Sequence, residues 1–225
     1  MIKPRIKAVI LDMDGLVLDS ETAYVSAWRQ AAAAMGYPLD AAFFGSLSGL
    51  HGEEVERQIH QACGGGFDMH RFRSLSGEYW RSRVQQSGIP VKTGFFTLMA
   101  VIRGLELPFC LATNSRRADA LGCLELAGLQ QVFSIIIAKD DVAQGKPAPD
   151  IFIAAAAKLG VPVRECLVLE DSAVGVAAAV AAAAPCLFVP SIYPPDGWAA
   201  DKAVAVLDDL AQAAGFVADC RADSG

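Results

Sequence analysis

The sequence predicts an α/β protein: a doubly wound, Rossmann-like parallel sheet, interrupted once by an all-helical insert. Three observations carry this. Short apolar runs alternate with helical patterns from residue 95 onward, which is the signature of a parallel sheet wound with helices. The runs end in polar residues, where an open parallel sheet binds its ligands beyond the carboxyl ends of its strands. Residues 20–88, between the first run and the rest, carry helical segments and nothing that reads as a run of strands.

The first run, Ala8-Val9-Ile10-Leu11, is bounded by a polar turn and reads as a buried strand. Asp12 and Asp14 follow it, one residue apart, then Gly15 and, after a short apolar stretch, Asp19. Two carboxylates held this close repel each other. A cation between them, or a proton on one that works as an acid, relieves the repulsion. Gly15 lets the backbone turn sharply after them.

A helix is expected over 21–35, with Ser20 as N-cap and Glu21 in its first turn. Tyr24, Ala27, Trp28, Ala31 and Ala34 share one face of it. Further helices are expected over 41–47, 53–63 and 69–86, separated by glycine loops at 49–52 and 64–66. His51, His60 and His70 all lie in this stretch. The expected division is a core of 1–19 with 89–225, and a helical cap of 20–88. The insert leaves from the carboxyl end of the first strand, so the cap is expected to hang over the site.

The remainder alternates. A helix over 95–103 precedes a strand over 108–112, which ends in Thr113-Asn114-Ser115. A helix over 117–127 precedes a strand over 134–138 and a polar loop to Lys146. A helix over 150–159 precedes a strand over 166–169, which ends in Glu170-Asp171-Ser172. A helix over 173–183, a strand over 186–189, a weaker helix around 208–214 and a polar tail complete the chain.

The 225 residues suffice for one large domain, or one with an insert, and for a sizeable core. A net charge of −6 argues against a nucleic-acid footprint, which would be basic. The six cysteines are scattered, with neither a CxxC pair nor Cys/His ligand spacing, which predicts a reducing, cytoplasmic setting. No signal-peptide pattern and no stretch of about 20 apolar residues predicts a secreted or membrane-spanning chain.

Each polar residue at a strand end has an ordinary role when taken singly. Thr113 would cap a helix, Lys146 would be a solvated charge, and Asp19, Glu170 and Asp171 would complement helix dipoles. Together, at one sheet edge, they form the kit that a phosphate monoester needs. A carboxylate attacks phosphorus, and a second acid protonates the leaving oxygen and then activates water. Hard oxygen ligands hold Mg²⁺. A hydroxyl and helix N-terminal amides bind phosphoryl oxygens, and a lysine offsets carboxylate charge.

The order and wording of these motifs resemble the haloacid dehalogenase-like phosphohydrolases, in the branch with a small helical cap that includes beta-phosphoglucomutase and sugar-phosphate phosphatases. The resemblance runs from about Lys7 to Pro190. Its motifs are Asp12-Met13-Asp14-Gly15, Thr113-Asn114-Ser115, Lys146 with Pro147-Ala148-Pro149-Asp150, and Glu170-Asp171-Ser172 with Gly175. The resemblance implies that Asp12 is the nucleophile and a Mg²⁺ ligand. It makes Asp14 the general acid/base, lending its backbone carbonyl to the metal. Thr113 and Asn114 would bind phosphate, Lys146 would neutralise charge, and Glu170 with Asp171 would complete the metal site. The acid at Asp14 favours phosphoryl transfer over dehalogenation.

Beta-phosphoglucomutase carries a histidine where this chain has Tyr24 and an arginine in the cap loop where it has Gly52. These departures favour a phosphatase over the alternative, a phosphosugar mutase. A binding module that has kept the site but lost turnover is a further alternative, against which the intact acid pair argues. His51 is a candidate substrate contact. Ala183 stands where the family usually has glycine; at positive φ it would cost about 1 kcal/mol. The expected substrate is a small phosphorylated metabolite, handled by a monomer with no nucleic-acid or membrane partner.

Overall fold

The structure, a computed structural model, describes residues 5–47 and 52–222. In chain order, β1 (Ala8–Leu11) leads into four helices, α1 (Ser20–Ala34), α2 (Ala41–Ser46), α3 (Gly52–Cys63) and α4 (Met69–Ser87). Then follow α5 (Phe95–Gly104), β2 (Phe109–Ala112), α6 (Arg117–Leu126), β3 (Ile136–Ile137), α7 (Asp150–Leu159) and β4 (Cys166–Glu170). The chain ends with α8 (Ala173–Ala181), β5 (Cys186–Phe188), α9 (Gly197–Lys202), β6 (Ala205–Val206) and α10 (Leu210–Ala222).

The strands form one parallel sheet in the order β3-β2-β1-β4-β5-β6. This is the doubly wound arrangement, whose order reverses beside β1. Every residue of β1 is buried, as a central strand covered on both faces requires. Ala8 and Ile10 join Cys110, Ala112, Cys166 and Val168 in a core closed by Ile151, Phe152 and Ala155 of α7 and by Val176 and Ala179 of α8. Side chains alternate along a strand, so Val9, Leu11, Leu111 and Leu167 face the other way, and they are buried too.

Contacts divide the chain into two units, Met1–Leu18 with Val91–Gly225, and Asp19–Pro90. Within the second unit, α1 packs against α4 and α2. Ala31, Ala32, Phe44, Leu47, Val55, Ile59, Phe67 and Phe72 form its core. Asp40 and Asp68 cap α2 and α4 by accepting from Phe43 N at 2.7 Å and Arg71 N at 3.0 Å, which satisfies helix N–H groups that have no partner within the helix.

Several sequence expectations shift. Helix α1 starts at Ser20, with Asp19 rather than Ser20 at the N-cap position. The strand expected over 134–138 is only Ile136–Ile137, because as an edge strand it pairs with β2 alone. The C-terminal third holds an α9 and a β6 that the sequence did not announce, and its last helix runs to Ala222 instead of stopping near 214. Ala183 has φ of +57°, the left-handed conformation its position suggested.

Candidate active site

Register builds this site. Leu11 is level with Leu111 of β2 and Leu169 of β4. One rung further, Asp12, Ala112 and Glu170 are therefore side by side, and Asp12 N still donates to Leu169 O at 3.1 Å. The Lys146 ammonium closes this rung. It donates to Asp12 Oδ1, to Ala112 O at 2.9 Å and to Glu170 Oε1 at 2.5 Å. All three ammonium donors are thus used. Lys146, Asp12 and Glu170 are buried, so this is a buried charge network rather than a surface ion pair.

Burial pushes the Asp12 carboxyl well above the ordinary aspartate range. Lys146 works against that shift, and the Glu170 and Asp171 carboxylates add to it. For Lys146, burial opposes the ammonium, but Asp12 and Glu170 outweigh it and hold the group above the usual lysine range.

Glu170 is held at both oxygens. Oε1 takes Lys146, and Oε2 accepts from Asp171 N at 3.2 Å and Ser172 Oγ at 3.2 Å. Ser172 also caps α8 by accepting from Gly175 N at 3.1 Å. Two glycines allow the carboxylates to sit this close to the main chain. A Cβ on Gly15, whose φ is +81°, would lie 2.0 Å from Asp171 Oδ2, and one on Gly175 would lie 1.9 Å from Glu170 Cδ.

Asp12, Glu170 and Asp171 each offer a carboxylate oxygen, and these oxygens lie within 4.8 Å of one another. Three carboxylates against one ammonium leave two negative charges when all are ionised. Hard oxygen donors with that charge fit a divalent cation such as Mg²⁺.

Asp14 stands on the tight turn after β1, where Gly15 N donates to Leu18 O at 2.9 Å. Its Oδ2 accepts from Ser115 Oγ at 2.8 Å. Thr113 is buried, and its Oγ1 accepts from Ser115 N at 3.0 Å. The Asn114 side chain pairs with the main chain of Lys146. Asp12, Asp14, Thr113, Asn114, Lys146, Glu170 and Asp171 are therefore joined through the ends of β1, β2 and β4 and the loop before α7. The sequence marked Ser115 only as the third residue of its motif. Its link to Asp14 spans 101 positions and leaves no local signal.

Asp19, Tyr24, His60 and His70 belong to the helical unit. Asp19 accepts from Thr22 Oγ1 at 2.9 Å. Tyr24 stacks on Trp80 at 5.3 Å and on Trp28 at 6.0 Å. His60 and His70 are exposed, and His51 lies outside the described residues. All six cysteines are free. Burial pushes Cys110 and Cys123 up to about 12 and Cys166 to about 11, so these three offer no thiolate at neutral pH. No helix among the described residues is long and apolar enough to cross a membrane.

The sequence profile described as haloacid dehalogenase-like hydrolase matches residues 6–183. The fructose-1-phosphate phosphatase YqaB of Escherichia coli is 31% identical over 180 residues, covering 79% of this chain and 93% of its own. A phosphorylated carbohydrates phosphatase of Thermotoga maritima is 28% identical over 176 residues, covering 78% and 81%. Among solved structures, a hydrolase of this family from Deinococcus radiodurans, with bound phosphate and sodium, superimposes with a TM-score of 0.81 at 26% identity, covering 97% of this chain and 98% of that one.

Proposed function

The chain belongs to the haloacid dehalogenase-like hydrolase family, and from that premise we propose that it is a Mg²⁺-dependent phosphatase. Its substrate would be a small phosphate monoester, a sugar phosphate by class, cleaved through an aspartyl-phosphate on Asp12. The observation that carries this reading is the rung on which Lys146 joins Asp12 to Glu170, with Asp171 beside them. The phosphatase names of the two curated relatives support the substrate class.

In the first step an Asp12 carboxylate oxygen attacks phosphorus. The bond from phosphorus to the leaving oxygen breaks as Asp14 delivers its proton there, and the alcohol departs. In the second step water attacks the same phosphorus and Asp14 takes its proton. The bond to Asp12 breaks, and inorganic phosphate leaves. The Thr113 hydroxyl and the main-chain N–H of Asn114 hold phosphoryl oxygens, and Lys146 lowers the negative charge that a phosphate dianion meets on approach. Asp12, Glu170 and Asp171, with the main-chain carbonyl of Asp14, would hold Mg²⁺, which supplies positive charge against the phosphoryl oxygens. The helical unit would serve as the cap that excludes water in the first step and opens for product release. We assign the protein to the cytoplasm as a monomer, a setting that suits its free thiols.

The test is phosphate release over a panel of sugar phosphates, nucleotides and small organophosphates, with and without Mg²⁺, for wild type, Asp12→Asn and Asp14→Ala. Metal-dependent release is expected in wild type. Asp12→Asn should abolish it, and Asp14→Ala should lower it by about 10²–10⁴-fold. Full activity in a folded Asp12→Asn variant would overturn the mechanism. Accumulation of an isomeric sugar phosphate in place of free phosphate would make the enzyme a mutase.

A further inference from the structure

We infer that Asn114 is a positioning residue whose side-chain amide clasps the Lys146 peptide and so sets where the ammonium stands between Asp12 and Glu170. The inference rests on the phosphatase reading for its effect on rate. Asn114 Nδ2 donates to Lys146 O at 3.0 Å, and Lys146 N donates to Asn114 Oδ1 at 2.8 Å. Two bonds in opposite senses, to the N–H and the C=O of one residue, fix the Lys146 main chain in orientation as well as in distance. A flipped amide would set donor against donor and acceptor against acceptor.

The other end of the lysine is held by the same strand terminus, since Nζ donates to Ala112 O, two residues before Asn114. Between these anchors lies a flexible four-carbon stem. The loop 142–149 that carries Lys146 has no helix or strand of its own. Pro147 and Pro149 have no N–H to give. Besides the clasp, the loop is tied by Ala148 N to Gly145 O at 3.0 Å and by Gln144 N to Asp150 Oδ2 at 3.2 Å. Both of these bonds stay within the loop and the first residue of α7, so neither ties the Lys146 main chain to the end of β2.

Gly145 points the same way. A Cβ there would lie 2.5 Å from Asn114 Oδ1 and 3.3 Å from its Cγ, so the loop reaches the amide only where no side chain intervenes. The distribution of labour within the motif follows. The Asn114 main-chain N–H is left to the phosphoryl group, while its side chain acts through Lys146.

The test is a double-mutant cycle in phosphate release, with Asn114→Ala, Lys146→Ala and the pair, each checked for folding by thermal melting. Asn114→Ala should cost on the order of tenfold to hundredfold, as small misplacements of a reacting group do. The pair should be no slower than Lys146→Ala alone, within about twofold, because the clasp has nothing left to position. Loss of the full Asn114→Ala factor again in the pair would overturn the inference while leaving the phosphatase reading intact. Gly145→Ala and Asn114→Asp, which crowd the amide or remove its donor, should lower the rate in the same direction, and they decide the matter if Asn114→Ala fails to fold. The ¹⁵N ammonium resonance of Lys146, assigned by its loss in Lys146→Arg, gives a readout that needs no turnover. It should be protected from exchange in wild type and lost in Gly145→Ala and Asn114→Asp. An unchanged resonance in both variants would overturn the clasp. If wild type releases no phosphate from any compound, the phosphatase reading falls and this resonance alone decides the clasp.

Discussion

The helical unit and the strand-end edge of the sheet use the same kinds of charged side chain to opposite effect. In the helical unit Arg57 meets Glu54 at 2.5 Å and Arg73 meets Glu56. The Arg73 and Glu56 side chains are 61% and 30% exposed. At the sheet edge Lys146 meets Glu170 at 2.5 Å, with exposures of 4% and 0%. The geometry is similar and the dielectric is not. Water screens the first pairs and leaves them worth little. The second is dry, so each partner depends on the other for its charge. The helical unit can lose an ion pair and keep its fold, which rests on Phe44, Phe67 and Phe72. At the sheet edge, stability and the proposed chemistry rest on the same side chains.

The largest break in this comparison should come from removing one cation on each side. Lys146→Ala leaves Asp12 and Glu170 buried together and should cost about 3–5 kcal/mol in urea unfolding of the metal-free protein. Arg73→Ala should leave the urea midpoint unchanged within error. Equal losses would show that burial does not separate the two regions.

Metal sharpens the contrast next. Mg²⁺ at a hundred times its Kd should stabilise the protein by about 2.7 kcal/mol, and Asp171→Ala should remove this gain. The pH dependence has a definite sign. Burial raises the folded-state pKa of Asp12 above its unfolded value. In metal-free protein its contribution to stability is therefore fully present below the unfolded pKa and is lost as pH rises through the folded one. Mg²⁺ needs the ionised carboxylate, so the Mg²⁺-induced rise in Tm should shrink as pH falls. A rise in Tm that is constant across pH would contradict competition between proton and metal at Asp12.

Ser115→Ala removes the 2.8 Å hydrogen bond to Asp14. It should lower kcat by about tenfold, the scale of one hydrogen bond to a charged group, and Ser115→Thr should restore part of that loss. The smallest effect lies just past the end of α8. Ala183 is held at φ +57°, and Ala183→Gly should stabilise by about 1 kcal/mol, read as a rise in Tm of about 2–4 °C for a chain of this size. Activity should not change.

Much of the sheet was legible because its signals are local. Ala8–Leu11 is apolar throughout and is followed at once by Asp12 and Asp14, so strand, edge and acid pair could be read from one stretch. The β5–β6 end was not legible. Ala205–Val206 is a two-residue strand that exists only by pairing with Leu187 and Phe188, and no periodicity can be seen over two residues. The C-terminal helix was read short because its mixture of alanine and polar residues has weak amphipathic patterning.

The sequence by itself determined the alternation of strands and helices and the residue types at each strand end, because turn chemistry, capping and apolar runs act over a few neighbours. Tertiary structure alone decided which of those residues meet. Lys146 reaches Asp12 across 134 positions, Ser115 reaches Asp14 across 101, and Asn114 reaches the Lys146 peptide across 32. Parallel register set these pairings by bringing Asp12, Ala112 and Glu170 to one level, and burial then made each unsatisfied donor or charge costly enough to fix its partner.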